Sequence, residues 1–170
     1  MSVTGEPAKG EYLIDPDRSV ISFTTRAIYG LLRVRGTFRV GHGKISVAEP
    51  TTASTVDAVV AAGSFDSANA ERDAHVRSAD FLDVDTYPEI VFRGERVDQA
   101  ANGKRTLRGT LTVRGMTQPI SLALHRVGGD DQELVARATT RIDRYAFGIT
   151  KAKGMTARYL TLTLDVVANR

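Results

Sequence analysis

Apolar and polar positions alternate along most of this chain. Leu107, Gly109, Leu111 and Val113 alternate with Arg108, Thr110, Thr112 and Arg114. Ile120, Leu122 and Leu124 alternate with Ser121, Ala123 and His125, and Leu160, Leu162, Leu164 and Val166 alternate with Thr161, Thr163, Asp165 and Val167. A period of two puts successive side chains on opposite faces, so each run predicts a strand with one buried and one wet face. Gly115-Met116-Thr117-Gln118-Pro119, Gly128-Gly129-Asp130-Asp131 and the hairpin signal Asn102-Gly103-Lys104 separate the runs. The second half therefore predicts antiparallel strands over 89–98, 105–115, 119–128, 133–143 and 157–168.

The first half is less regular. Strands are predicted over 11–15, 19–29, 33–40 and 54–62, with Gly30, Gly36, Gly41 and Gly43 marking a turn, bends or bulges. Gly41-His42-Gly43-Lys44-Ile45 reads as a hairpin. Residues 58–62 are apolar all round, but the β-branched Val56, Val59 and Val60 favour a strand. The exception is 66–88. Asn69 caps a predicted short helix with Glu71 and Asp73 in its first turn, and Ser78 reads as the cap of a second turn around Asp80-Phe81-Leu82. This segment predicts a lid over one end of the strands.

About eight consecutive antiparallel strands would leave two costly edges in an open sheet, and closure removes both. An eight-stranded barrel is just wide enough to fill with side chains or to hold one small ligand. On 133–143 the arginines Arg137 and Arg141 belong outside, so Ala136, Ala138, Thr140 and Ile142 point inward. With Gly109 also inward, facing Leu122, Leu124, Leu162 and Leu164, the pattern leaves two outcomes open: an apolar cavity, or an interior filled by the larger side chains of facing strands.

Composition narrows the possibilities. Of 170 residues, 42% are hydrophobic and 25% charged, as in ordinary globular domains, and no run reaches the roughly 20 apolar residues of a membrane-spanning helix. Cysteine is absent, which excludes disulfides and thiolate chemistry. Residues 1–10 read as a flexible tail before one domain over 11–170. No apolar leader core is visible near the N-terminus, so the expected location is cytoplasmic; a periplasmic or secreted form would require a leader already removed. Residues 1–85 carry 9 Lys+Arg against 12 Asp+Glu, and residues 86–170 carry 14 against 8. The basic arginines are dispersed and lack interleaved aromatics, so nucleic acid is not an expected partner. His42, His75 and His125 show no ligand spacing, so no metal site is expected.

Residues 64–92 contain Asn69, Arg72-Asp73-Ala74-His75-Val76-Arg77-Ser78-Ala79-Asp80-Phe81-Leu82-Asp83 and Tyr87-Pro88. This resembles the YceI family pattern of Asn, two residues, Arg-Asp-x-His-Leu-Arg-Ser-x-Asp-Phe-Phe-Asp, then Tyr-Pro. Tyr12–Pro16, Ser19–Phe23, Val34–Phe38, Gly109–Thr117 and Ile142–Gly148 resemble further family motifs, so the resemblance runs over about 11–168. Val76 and Leu82 depart from it, and the stretch after Gly148 is short and lacks a Trp. The expected fold is all-β: an eight-stranded antiparallel lipocalin-like β-barrel with a short helical lid over about 69–84. The resemblance implies a long apolar tunnel that holds a polyisoprenoid, isoprenoid quinone or fatty-acid-like chain. It also implies a homodimer in many members, and no cofactor.

The candidate tunnel residues are Phe23, Phe38, Phe92, Leu111, Leu122, Leu124, Ala138, Leu162 and Leu164. Arg72, His75, Arg77 and Phe81 are the candidates for the lid and for holding a head group. The expected function is non-enzymatic transport or storage, without catalytic residues or stable membrane insertion. Two alternatives stand beside it. One is an isomerase or cyclase using the Arg72–Asp80 cluster on a hydrophobic substrate. The other is a protein-interaction module with a filled barrel.

Overall fold

The computed structural model describes residues 5–170. Nine strand segments form: β1 (Gly10–Ile14), β2 (Val20–Ala27), β3 (Leu32–Val47), β4 (Thr55–Asp66), β5 (Glu89–Gln99), β6 (Arg105–Val113), β7 (Met116–Gly129), β8 (Glu133–Asp143) and β9 (Tyr159–Asn169). β1 and β2 both lie between β3 and β9 and run in line, Tyr12 opposite Ile45 and Phe23 opposite Gly36. Asp15–Ser19 interrupts what is one position in the sheet. β3 pairs with β4, each later strand pairs with the next, and β9 returns to β1 and β2. Every pairing is antiparallel, so the chain closes into an eight-stranded up-and-down barrel.

Bulges bend the walls. β3 carries an irregularity between Thr37 and Arg39 and another between Val40 and His42. The second inserts Gly41, and the inward set changes from Val34, Phe38 and Val40 to Ile45 and Val47. An inserted residue reverses the parity of everything after it. The predicted hairpin at Gly41–Ile45 is therefore the middle of a 16-residue strand, and the chain turns at 48–54 instead. Gly109 also differs from expectation. It sits opposite Gly94, and a Cβ on Gly109 would stand 1.8 Å from the Arg93 carbonyl oxygen. Its missing side chain permits close approach of β5 at a bulge; it does not widen the cavity.

The lid contains one helix, α1 (Ala70–Arg77). The Asn69 side chain accepts a hydrogen bond from the Arg72 amide, 3.0 Å away, which satisfies an N-terminal donor as predicted. Ser78 ends this helix and does not start another; Asp80–Leu82 form a turn. The Arg114 guanidinium donates to the Phe81 carbonyl at 2.8 Å and ties the lid to the β6–β7 turn.

At the other barrel end, residues 5–10 are not a loose tail. The Gly129 amide donates to Gly5, the Ala8 amide donates to Asp130, Glu6 pairs with Arg105 at 3.0 Å, and Pro7 is buried. Residues 1–4 of the predicted tail lie outside the described residues.

Candidate functional site

The barrel encloses a cavity of about 290 Å³ whose surface is overwhelmingly apolar. Alternate residues build it. β8 supplies Leu134, Ala136, Ala138, Thr140 and Ile142, and β9 supplies Leu160, Leu162, Leu164 and Val166. Phe38, Phe92, Leu107, Leu111, Leu122 and Leu124 complete the middle of the wall. Leu162, Leu164 and Val166 point inward yet are only half-buried, because the residual exposure is to the cavity itself. A filled core would leave no such space, so the barrel holds the expected cavity and the filled-barrel alternative does not describe it.

The two ends differ. At the lid end the lining is Leu82, Val113, Arg144, Phe147 and Ile149, all buried. At the opposite end it runs out through Val97, Ser54 and Arg105 to the exposed Glu6 and Thr51. The cavity is therefore a blind tunnel with a polar mouth and a floor that is apolar except for Arg144, whose guanidinium is bonded to backbone carbonyls.

Of the nine predicted tunnel residues, Phe38, Phe92, Leu111, Leu122, Leu124, Ala138, Leu162 and Leu164 face the cavity. Phe23 does not line it. Its ring lies over Gly36 and stacks on Phe65 with centroids 5.0 Å apart, 2% exposed, beneath the lid. None of Arg72, His75, Arg77 and Phe81 lines the cavity either. Arg72 donates to the Ser67 hydroxyl at 2.8 Å, and Ser67 in turn bonds the buried Asp73. Arg77 donates to the carbonyls of Gly63 (3.0 Å) and Phe65 (2.6 Å). His75 is exposed, 3.5 Å from Asp80, with its ring edge-on to Phe81. Phe81 packs into the core under the lid. Arg77 fastens the lid to β4 and Arg72 ties it to Ser67 just beyond that strand, so the cluster does not face the cavity as an enzyme reading would need. Leu82, where the family pattern has Phe, is the lid residue that reaches the cavity.

Sequence reasoning did not single out Arg144, Arg105 or Glu6. Arg144 is 4% exposed and donates to the carbonyls of Ala157, Ile149 and Thr156, each at 2.9 Å. Burial pulls its pKa below the ordinary arginine value, and among the described residues no carboxylate pairs with it. It clips the β8–β9 connection over the tunnel floor. Its place as the first residue of a 3-10 turn, between the Asp143 cap and Gly148, was the available signal.

The backbone ladder between β7 and β8 is incomplete toward the lid end. Their ladder stops at Ala123–Thr139, whereas β6–β7 and β8–β9 remain paired to the lid end. Beyond the stop, two side-chain bonds bridge the strands: Thr140 to the Ser121 carbonyl and Gln118 to the Ala146 carbonyl, both 2.8 Å. An outer groove follows this seam, and Ile120, Thr140, Ile142 and Phe147 line both groove and tunnel.

The YceI-like domain model matches residues 12–168, nearly the whole described chain. The chain belongs to the YceI-like family. A UPF0312 protein of Vibrio parahaemolyticus is 36% identical over 146 residues, covering 82% of this chain and 77% of that protein. A UPF0312 protein of Shewanella baltica is 34% identical over 163 residues, covering 92% and 85%. Among solved structures, BcnA of Burkholderia cenocepacia is similar with a TM-score of 0.81 at 20% identity, covering 92% of this chain and 99% of that one. A polyisoprenoid binding domain from Saccharophagus degradans has a TM-score of 0.70 at 14% identity, covering 93% and 97%. At those identities the two structures establish the YceI-like barrel as shared architecture.

Proposed function

We propose that this YceI-like protein binds a single long apolar chain in the tunnel and carries or stores it without chemical change. One observation bears most of the weight: a blind cavity of about 290 Å³ with overwhelmingly apolar walls, whose exposed polar groups gather at the mouth. At about 30 Å³ per water-sized group, that volume holds on the order of ten chain carbons. Each methylene moved from water into the tunnel contributes about 0.8 kcal/mol, roughly 8 kcal/mol for ten. Burial of this kind is non-directional, so the tunnel selects a class of chain and the mouth selects the head. A ligand with a polar or anionic head would lie with that head at Arg105, Glu6, Ser54 and Thr51 and its tail toward Phe147 and Ile149.

The polyisoprenoid ligand named for the Saccharophagus degradans domain supports an isoprenoid as the chain, and a fatty-acid-like chain satisfies the same walls. Catalysis is no part of the proposal, because the charged lid cluster is spent on backbone carbonyls and on itself. The test is a titration with saturated fatty alcohols of increasing length. Affinity should rise roughly fourfold per methylene up to about ten carbons and then level off. Affinity independent of chain length would refute tunnel binding.

A further inference from the structure

The hairpin joining β2 to β3 ends in Ile28-Tyr29-Gly30-Leu31, with Leu32 beginning the next strand. Its apolar side chains stand in water: Leu31 is 85% exposed, Tyr29 75%, and Ile28 and Leu32 close to half. Met155, also half-exposed, lies beside them, since its carbonyl accepts from the Ile28 amide at 2.6 Å. Single exposed apolar residues are ordinary, but a contiguous set at a projecting tip marks an interaction site.

The tip is held in place. Ile28 and Tyr29 both adopt left-handed backbone angles (φ 51° and 53°), which a β-branched residue such as Ile28 rarely does. The Met155 and Gly154 carbonyls clamp their amides at 2.6 Å, and Arg26 donates to the Gly30 carbonyl at 3.3 Å. Strain maintained in order to display apolar groups outward points to function.

The charge around the tip has one sign. Arg26, Arg33 and Arg35 flank it on the hairpin, and Lys151 and Lys153 lie on the loop that clamps it. All five are exposed, none is ion-paired among the described residues, and no acidic residue occurs within 24–40 or 144–158.

We propose that this tip docks the protein on an anionic lipid bilayer. The apolar side chains enter the boundary between head groups and acyl chains, and the five cations meet lipid phosphates. A second copy of the chain fits the surface less well. A two-fold contact would set the same cations against themselves, and the tip offers far fewer residues than the roughly 20–30 per side of a stable interface. The clamping loop belongs to the β8–β9 connection, whose Ala146 and Phe147 border the seam in the tunnel wall. The proposal does not rest on what the tunnel contains.

Vesicle sedimentation tests it, with vesicles of phosphatidylcholine alone and mixed with phosphatidylglycerol. The protein should sediment with the anionic vesicles and stay in solution with the neutral ones. Leu31→Asp should lower partitioning at least tenfold, and Arg33→Ala roughly fivefold, with melting temperatures unchanged because both side chains are exposed. Raised salt should weaken binding. Failure to sediment with anionic vesicles, or binding indifferent to Leu31→Asp, would overturn the proposal. So would a solution dimer that Leu31→Asp splits, which would assign the tip to a second copy.

Discussion

Ala138→Leu is the perturbation that separates tunnel binding from surface binding most cleanly. Ala138 lies midway along β8, faces the cavity, and packs with Leu107 and Leu122. Leucine there adds three carbon atoms to the space a ligand would use. Three chain methylenes displaced at about 0.8 kcal/mol each amount to about 2.4 kcal/mol, or roughly 50-fold weaker binding. The same atoms fill a void in the empty protein, so the fold should hold or gain stability. Displacement of a dansyl-labelled fatty acid measures the affinity, and the absence of Trp keeps the protein's own fluorescence low. A thermal melt confirms that the variant is folded. A folded Ala138→Leu protein that binds the probe as tightly as the wild type would refute the placement of the chain in the tunnel.

Other side chains make independent predictions. Arg144→Met removes the donor from three carbonyls at once and should cost about 3 kcal/mol or more, read as a lower urea midpoint. Gly109→Ala forces a Cβ against the Arg93 carbonyl and should destabilise by about 1–3 kcal/mol, seen as a midpoint shift at constant m-value. Hydrogen bonds from Arg158 hold the Asp143 carboxyl below its ordinary pKa. A depressed folded-state pKa stabilises the fold above the unfolded value of about 3.9 and ceases to do so as pH falls through the folded one. Melting temperature should therefore be insensitive to this pair above about pH 5 and erode below it, less steeply in Asp143→Asn; identical slopes in the two proteins would contradict the assignment.

Much of the barrel was legible because its walls obey a period of two, and every strand predicted from alternation in the second half is present within a few residues. The inward set Ala136, Ala138, Thr140 and Ile142 was also legible, since arginine on the opposite face fixes the phase. What escaped has physical causes. The bulge at Gly41 reverses the inward set of β3, so one long strand looked like a strand and a hairpin. The lid motif is rich in charge, which suggested chemistry, but Arg77 is satisfied by the Gly63 and Phe65 carbonyls of β4, a contact with no local signature, and Arg72 by Ser67. The mouth depends on Glu6 meeting Arg105 across 99 residues, and nothing in either stretch announces the other.

The most direct test of the central claim is native mass spectrometry of the purified protein, followed by organic extraction and mass analysis of what it releases. A long-chain isoprenoid or lipid at about one per chain is the predicted result, and Ala138→Leu should lower its occupancy. A protein that emerges empty, and that takes up neither isoprenoid quinones nor fatty acids when they are supplied, would contradict the account.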